Sequence, residues 1–255
     1  MAENKPLILV ADDDGVCAEG LKNLVRVARE FGDVIVLAPE CQQSGKSNAV
    51  TSGVDVLLHQ VSSEPGLRVY ACSGTPTDSV KLSFYSVCRD RRPDLILSGI
   101  NHGSNSSINV VYSGTMGAVI EGCLNGIPSI GFSLCLDGGA CDYSYGLPYV
   151  RQVLSDVLCN GLPTGICLNV NFPAGPIEGP LRWCRQARSR WVDEFSKTGE
   201  RDGSEVFRLG GDFVNLEPDT PGTDEYLLAR HQATCVPIRV DMTADDYLRQ
   251  RTCGQ

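Results

Sequence analysis

The stretch Leu7-Ile-Leu-Val-Ala-Asp-Asp-Asp-Gly15 places five apolar residues directly before three aspartates and a glycine. A short run that is apolar throughout, with turn-forming residues at its end, predicts a strand that is buried on both faces of a sheet. Similar strands are predicted at residues 34–38, 67–71, 94–97, 129–134 and 167–171. Apolar residues at helical spacing over 21–31 and over 147–158 predict helices between strands. This alternation predicts a doubly wound α/β fold with a mostly parallel, Rossmann-like sheet.

The composition and charge exclude several classes of protein. The chain has 255 residues, of which 42% are hydrophobic and 21% charged, and this is typical of a globular protein. A formal net charge of -9 leaves no broad basic surface for a nucleic acid or an acidic membrane. The start lacks an apolar signal region, and polar residues interrupt the longest apolar stretch, so we expect no membrane span and a cytoplasmic location. The twelve cysteines form no Cys-x-x-Cys pair, so we expect them to be reduced and mostly buried.

The pattern changes in the last third of the chain. A polar stretch over 182–212 contains both tryptophans and has little helical period, which predicts β-hairpins. A short helix over 224–229 and a strand over 234–240 follow. We therefore expect a single domain, with a core over 1–173 that carries the functional site and an extension over 174–255. Because two-stranded hairpins are marginal alone, the extension is expected to pack on a second subunit in a homodimer, with a tetramer left open. The alternative is an extension that folds back over its own domain in a monomeric chain.

Three adjacent aspartates, Asp12, Asp13 and Asp14, follow the first predicted strand. In open α/β sheets ligands bind at the carboxyl ends of the strands, so this turn is a candidate site. Adjacent carboxylates repel one another unless a cation or several N–H donors lie among them, and oxygen-rich clusters suit Mg²⁺, Mn²⁺ or Ca²⁺. The alternative is a solvated acidic turn in which one aspartate caps the next helix.

Two later turns add polar groups to this edge of the sheet. The turn after the fourth predicted strand contains Asn101, His102 and Asn105 on a glycine-containing backbone. The tripeptide Ser113-Gly114-Thr115 precedes a predicted helix over 118–124, and a helix start with small hydroxyl residues binds anions readily. The alternative for its two hydroxyl residues is ordinary N-capping. Together with the acidic turn, these groups predict a site for a metal ion and a phosphate.

A Gly-Lys-Ser sequence at Gly45 is superficially similar to a nucleotide-binding phosphate loop. The position five residues before Gly45 is Glu40, where that motif requires glycine, and no helical pattern follows. The phosphate-loop interpretation therefore fails.

Several motifs, in the same order along the chain, resemble those of the SurE family, the stationary-phase survival nucleotidases. They are Leu7 to Gly15, Gln43-Ser44-Gly45 with Asn48, Cys72-Ser-Gly-Thr-Pro-Thr-Asp78, Pro93 to Asn105, Tyr112-Ser-Gly-Thr115, Gly126 to Ile130 and Leu168 to Pro173. The resemblance covers nearly the whole chain. The family's first turn usually reads Asn-Asp-Asp-Gly, and Asp12 stands in place of that asparagine here.

The resemblance implies a metal-dependent 5'-nucleotidase that releases phosphate from nucleoside 5'-monophosphates, with 3'-monophosphates left open as substrates. It implies one divalent cation per subunit, Mg²⁺ or Mn²⁺, which would offset phosphate charge and activate water, with Asp13 accepting the proton and Asp14 beside it. By position, the metal ligands would be Asp13, Asp14, Ser44 and Asn101, and the phosphate would lie near Gly45, Asn105, Ser113, Gly114 and Thr115. His102 is a candidate for protonating the leaving oxygen.

Two other classes of protein stay open at this point. The sequence over 12–16 fits the Asp-x-Asp-Gly-Val of haloacid-dehalogenase-type phosphatases, with Asp12 as the nucleophile, but their later lysine and paired acidic motif have no clear match. The acidic turn also resembles the Mg²⁺-binding turn of receiver domains. A receiver needs an aspartate after a middle strand and a lysine after a later strand, where this chain has Ser98 and Cys135.

Overall fold

The computed structural model of the chain describes residues 5–139 and 141–252, and a sheet of nine strands lies at its centre. The strands are β1 (Leu7–Ala11), β2 (Asp33–Pro39), β3 (Leu58–Glu64), β4 (Leu67–Cys72), β5 (Leu95–His102), β6 (Ser129–Leu134), β7 (Ile166–Phe172), β8 (Arg182–Trp183), β9 (Ser189–Val192), β10 (Phe195–Arg201), β11 (Ser204–Leu209), β12 (Asp212–Asn215) and β13 (Thr234–Arg239). The helices are α1 (Glu19–Ala28), α2 (Pro76–Ser83), α3 (Asn109–Tyr112), α4 (Gly114–Leu124), α5 (Leu147–Asn160), α6 (Asp224–Leu228) and α7 (Asp245–Thr252).

The strand order in the central sheet is β3-β4-β2-β1-β5-β6-β7-β13-β8. The six strands predicted from apolar runs pair in parallel with one another, whereas β3 is antiparallel to β4 and β13 is antiparallel to β7. The prediction of a doubly wound, mostly parallel α/β sheet is therefore confirmed. The sequence did not predict β3 or α2, because β3 is a largely polar edge strand and α2 has few apolar residues.

Helices cover both faces of the sheet, which explains why its central strands are apolar throughout. In β1, Ile8 and Val10 face the core formed with α1 and α5, while Leu7, Leu9 and Ala11 face the core formed with α2 and α4. Both sets are buried, so neither face tolerates a polar residue until the strand ends at the aspartates.

Two predicted boundaries near the site were wrong. Strand β5 continues to His102, so Ser98 and Asn101 lie in the strand and not in a turn after it. The register between β5 and β6 shifts between these two residues, and Gly99 there has a φ of +115°. A Cβ atom at Gly99 would lie 2.2 Å from the carbonyl oxygen of Phe132, so only glycine fits. Helix α4 begins at Gly114, four residues before its predicted start.

The C-terminal part of the chain contributes to the sheet and also forms two smaller pairs of strands. Strands β10 and β11 form the expected hairpin, β9 pairs with β12, and β13 joins the central sheet beside β7. Within residues 5–139 and 141–252, eleven cysteines are free, of which five are buried, three half-buried and three exposed; Cys253 lies outside the described residues. No helix in these ranges is long and apolar enough to cross a membrane. The cytoplasmic location stays a prediction.

Candidate active site

The three aspartates after β1 occupy different environments. Asp12 has no exposed surface, and its Oδ2 has no hydrogen-bond partner among the described residues. Burial, and then repulsion from Asp13 and Asp14, raises the pKa of Asp12 well above its ordinary value. A carboxyl group in this position is closed off from a phosphate. Asp13 is nearly as buried, at 4% exposed, and differs from Asp12 in its hydrogen-bond partners, whereas Asp14 is the most exposed of the three.

Asp13 lies at the centre of a buried chain of hydrogen bonds. Its Oδ1 accepts a hydrogen bond of 2.5 Å from the hydroxyl of Thr115 in α4. The Thr115 oxygen in turn accepts from Nδ2 of Asn105, which also donates to the hydroxyl of Ser133 at 2.8 Å. Burial raises the pKa of Asp13 to about 6, against the lowering effect of the Thr115 hydrogen bond. This places the carboxyl near the range in which it can exchange a proton at neutral pH.

Asp14 is half-buried and is held from two sides. Its Oδ2 accepts a hydrogen bond of 2.8 Å from the backbone N–H of His102 at the end of β5. Its Oδ1 accepts one of 3.1 Å from Nε2 of Gln42, in the loop after β2. The carboxyl ends of three strands thus meet at this residue. The side chain of His102 is exposed, and its role in protonating the leaving oxygen stays a prediction.

Asn101 is buried beneath the same turn. Its Nδ2 donates to the carbonyl oxygen of Gly103 at 2.7 Å, which orients the amide and leaves Oδ1 as its acceptor. The Oδ1 of Asn101 is thus a neutral oxygen acceptor one residue before His102, whose N–H binds the carboxylate of Asp14.

The loop after β2 is anchored at both of its ends. At one end the N–H of Gln43 donates to the carbonyl oxygen of Asp13 at 2.7 Å. At the other end, Ser47 donates to carbonyl oxygens of α3 through its hydroxyl (2.6 Å) and its N–H (3.1 Å). Ser44 and Gly45 lie between these anchors and are exposed. The loop is therefore held against the aspartates while Ser44 and Gly45 stay accessible.

The start of α4 approaches Asp13 very closely. A Cβ atom added at Gly114 would lie 2.8 Å from the Cβ of Asp13, and one added at Gly117 would lie 2.2 Å from the carbonyl oxygen of Ser47. Ser113 caps the helix, because its hydroxyl accepts a hydrogen bond of 3.0 Å from the N–H of Met116. Ser113 therefore has the N-capping role that was the alternative prediction. Its hydroxyl accepts a hydrogen bond in this role and can still donate one to a ligand. Thr115 instead bonds to side chains of the site.

Two buried asparagines of β7 support the site, and they were missing from the residues predicted to form it. Oδ1 of Asn171 accepts from the N–H of Asn105 at 2.9 Å, and Nδ2 of Asn169 donates to the carbonyl oxygen of Asn105 at 2.8 Å. The two side chains also bond to each other at 3.0 Å. The available signal was the presence of two amides in an otherwise apolar strand, since a buried amide needs partners.

Asp224 connects the C-terminal part of the chain to the site. It is fully buried at the start of α6, and its carboxylate accepts hydrogen bonds of 2.8 Å from the N–H groups of Ser107 and Ala187. Its neighbour Glu225 accepts from the hydroxyl of Ser106. Burial raises the pKa of Asp224 despite these donors. The backbone just after Asn105 is therefore fixed by residues more than a hundred positions away.

The structure predicts a measurable role for Asn171. Replacing it with alanine leaves the buried N–H of Asn105 without an acceptor, so we expect the free energy of unfolding to fall by about 1–3 kcal/mol in urea denaturation. The matched control is Asn160→Ala, because Asn160 is exposed and bonds only within α5. That control should stay within about 0.5 kcal/mol of the parent protein. Equal effects of the two substitutions would contradict the supporting role of Asn171.

Comparisons with known proteins give the family of the chain. Residues 8–193 match the family model described as Survival protein SurE. The chain belongs to the SurE family. It is 48% identical over 244 residues to the 5'-nucleotidase SurE of Phocaeicola vulgatus, covering 96% of this chain and 95% of that protein. It is 46% identical to the 5'-nucleotidase SurE of Cytophaga hutchinsonii, covering 97% and 96%. The crystal structure of the SurE protein from Aquifex aeolicus is similar with a TM-score of 0.81 and 26% identity, covering 96% of this chain and 98% of that one.

Membership of the SurE family sets aside the two other classes considered from the sequence. A haloacid-dehalogenase-type mechanism needs Asp12 as an accessible nucleophile, and Asp12 is fully buried. A receiver domain needs an aspartate at the end of β5, where this chain has Asn101 and His102. The burial of Asp12 and the residues at the end of β5 thus argue against these two classes independently of the family.

The residues of the site fit a divalent cation. None of the ion pairs found within residues 5–139 and 141–252 involves Asp13 or Asp14, so the negative charge of the turn lacks a basic partner there. No three His, Cys, Asp or Glu side chains converge in a metal-binding arrangement in the same ranges, so a cation would need neutral ligands as well. Asn101 and Ser44 can supply amide and hydroxyl oxygens, and this donor set suits Mg²⁺ or Mn²⁺.

Proposed function

We propose that the chain is a divalent-metal-dependent nucleotidase that hydrolyses nucleoside 5'-monophosphates to nucleoside and phosphate, with nucleoside 3'-monophosphates as further candidates. The observation that carries this proposal is the contact of Asp13 with the start of α4, next to Asp14 in the same turn. Neither carboxylate has an ion-pair partner among the described residues. Carboxylates attract a cation, and a helix start favours an anion, so a cation and a phosphate can lie side by side here.

The relatives support the enzyme class and the type of substrate. Proteins 44–48% identical to this chain over nearly its full length are named 5'-nucleotidase SurE. The chain is accordingly a phosphoric monoester hydrolase of the nucleotidase type. The use of one Mg²⁺ or Mn²⁺ per subunit is our proposal from the donor set.

Different residues of the site have different proposed roles in the reaction. A divalent cation held by Asp13, Asp14, Ser44 and Asn101 would offset the charge of the phosphate and activate water. Asp13 would accept the proton of the attacking water, as a carboxylate held in position by the hydroxyl of Thr115. Thr115 and Asn105 fix the orientation of Asp13, and the amides at the start of α4, with Gly45, bind the phosphoryl oxygens. His102 holds Asp14 through its backbone N–H.

Metal removal tests this function directly. The purified protein is assayed for phosphate release from a panel of nucleoside monophosphates before and after dialysis against EDTA. We expect release to stop after dialysis and to return with added Mg²⁺ or Mn²⁺. Full activity in EDTA would contradict the metal requirement, and the absence of release from every nucleotide would contradict the function.

Two controls sharpen this test. An Asp14→Ala protein purified in the same way measures any contaminating phosphatase. Hydrolysis in ¹⁸O-labelled water should place the label in the released phosphate and none in the nucleoside, as cleavage of the P–O bond requires. A trapped aspartyl-phosphate would indicate a covalent mechanism.

We also propose that the chain forms a homodimer through the hairpin of β10 and β11. Phe195 and Phe207 on this hairpin are 65% and 51% exposed, and a two-stranded hairpin buries too little apolar surface on its own. We expect light scattering at micromolar concentration to give twice the 27.5 kDa mass of one chain, or four times that mass if dimers pair.

The hairpin's part in assembly has a matched control. Phe195→Ser should shift the protein toward a monomer, because it removes apolar surface from the interface. Tyr85→Ser changes an aromatic residue that is 79% exposed elsewhere and should leave the mass unchanged. An active monomer of the parent protein would contradict the proposed dimer.

A further inference from the structure

A mostly apolar cleft of about 340 Å³ lies next to the candidate active site. Its walls include Gly45 of the loop after β2, Tyr112 of α3, and Trp191 and Leu209 of the C-terminal strands. Gly45 directly follows Ser44, and Tyr112 directly precedes Ser113, so the cleft begins one residue away from both the proposed cation and the proposed phosphate. A molecule bound by its phosphate at the start of α4 can extend into this cleft.

Two aromatic rings line the cleft, and one of them is held rigidly. Nε1 of Trp191 donates a hydrogen bond of 2.9 Å to Oδ1 of Asn109, and the Trp191 ring packs edge-on against Phe213 with 5.7 Å between ring centroids. Tyr112 is 52% exposed. Preorganised rings next to a phosphate site provide flat surfaces for stacking, and every nucleobase has a face that can stack.

The charge of the cleft selects against a second phosphate group. None of the described residues that line it is basic, and Glu194 adds a carboxylate at its wall. A pyrophosphate or polyphosphate tail would be repelled there, whereas a neutral aromatic ring is not. Asn109 and Glu194 can also exchange hydrogen bonds with the edge of a base. The lining therefore favours a nucleobase as the occupant.

We propose that this cleft is the nucleobase subsite, in which the base of the nucleoside monophosphate stacks on Tyr112 while Trp191 closes the opposite side. This inference rests on the proposed nucleotidase function. It explains how a site built around a phosphate can prefer a nucleotide to other phosphomonoesters, since only a substrate with a base gains the stacking energy.

The first test compares a substrate with a base to one without. For the parent protein and for Tyr112→Ala, kcat/KM is measured with a nucleoside 5'-monophosphate and with ribose 5-phosphate, which has the same phosphate and sugar. We expect Tyr112→Ala to lower the ratio of kcat/KM for the nucleotide to kcat/KM for ribose 5-phosphate roughly tenfold. Tyr112→Phe keeps an aromatic ring, so its ratio should equal that of the parent protein. Tyr85→Ala, at an exposed tyrosine outside the cleft, is the matched control. A ratio that Tyr112→Ala does not change overturns the subsite.

The second test needs no catalysis. The chain has two tryptophans, so in a Trp183→Phe variant the tryptophan emission comes from Trp191 alone. Adding a nucleoside without phosphate should quench this emission in a saturable manner, and adding Tyr112→Ala to the variant should weaken the binding roughly tenfold. A lack of quenching overturns the subsite. If neither substrate is hydrolysed, the nucleotidase proposal fails while this titration still decides whether the cleft binds a base.

Discussion

Replacing Asp14 with alanine is expected to lower nucleotidase activity at least about a hundredfold while the protein stays folded. Asp14 is half-buried, and its carboxylate has no basic partner in the part of the chain that the structure describes. Its loss removes one of two charged ligands, so the affinity for the cation falls, whereas the surface position leaves no cavity. Water can replace the lost acceptor for the N–H of His102.

The Asp14 prediction separates a metal ligand from a structural residue by two measurements. Calorimetric titration with Mn²⁺ should show binding to the parent protein and little binding to Asp14→Ala, while thermal unfolding of the metal-free proteins should give similar midpoints. Asp219→Ala is the charge-matched control, because Asp219 is exposed and takes part in none of the hydrogen bonds described for the site. Retained activity in Asp14→Ala would remove this residue from the site.

Gly114→Ala is expected to lower nucleotidase activity by a factor similar to that of Asp14→Ala, but for a different reason. The new Cβ would lie 2.8 Å from the Cβ of Asp13, an atom bonded directly to the backbone that no side-chain rotation can move away. The start of α4 must therefore move away from Asp13, which stretches the hydrogen bond between Asp13 and Thr115. Because displacements near 1 Å at an active site cost about a hundredfold in rate, we expect kcat/KM to fall by that factor.

Gly199→Ala provides the control for the Gly114 substitution. Gly199 has no atom within 4 Å of its added Cβ, so the same chemical change meets open space there. We expect Gly199→Ala to keep the parent activity and Gly114→Ala to lose it, with circular dichroism showing that both proteins retain their secondary structure. Equal activities would show that α4 can move without disturbing Asp13.

The sequence predicted those strands and helices whose apolar residues are also the ones buried in the folded protein. Strand β1 is buried on both faces, so its five apolar residues were sufficient to identify it. Helix α5 carries an apolar stripe and ends at Gly161, which has a φ of +70°. Strand β3 is an exposed edge strand with polar residues on both faces, and its pairing with β4 leaves no apolar signal.

The sequence predicted the candidate site from short motifs whose residues are adjacent in the chain. The structure adds supporting residues that lie far from those motifs in the sequence. Asp13 and Asp14 follow a clear strand, so their position at the sheet edge could be predicted. The role of Asp224 could not, because its contact with Ser107 spans 117 positions. The burial of Asp12 is likewise decided by neighbours that the sequence does not reveal.

The sequence by itself determined the alternation of strands and helices, the edge of the sheet at which polar groups collect, and the family. Those features depend on the periodicity of apolar residues and on short motifs, both of which are local. Only the tertiary structure decided how deeply each aspartate is buried, how closely Gly114 approaches Asp13, and that Tyr112 and Trp191 line one cleft. The physical reason is that desolvation, close contact and cavity shape depend on distances between elements far apart in the chain, which no local pattern encodes.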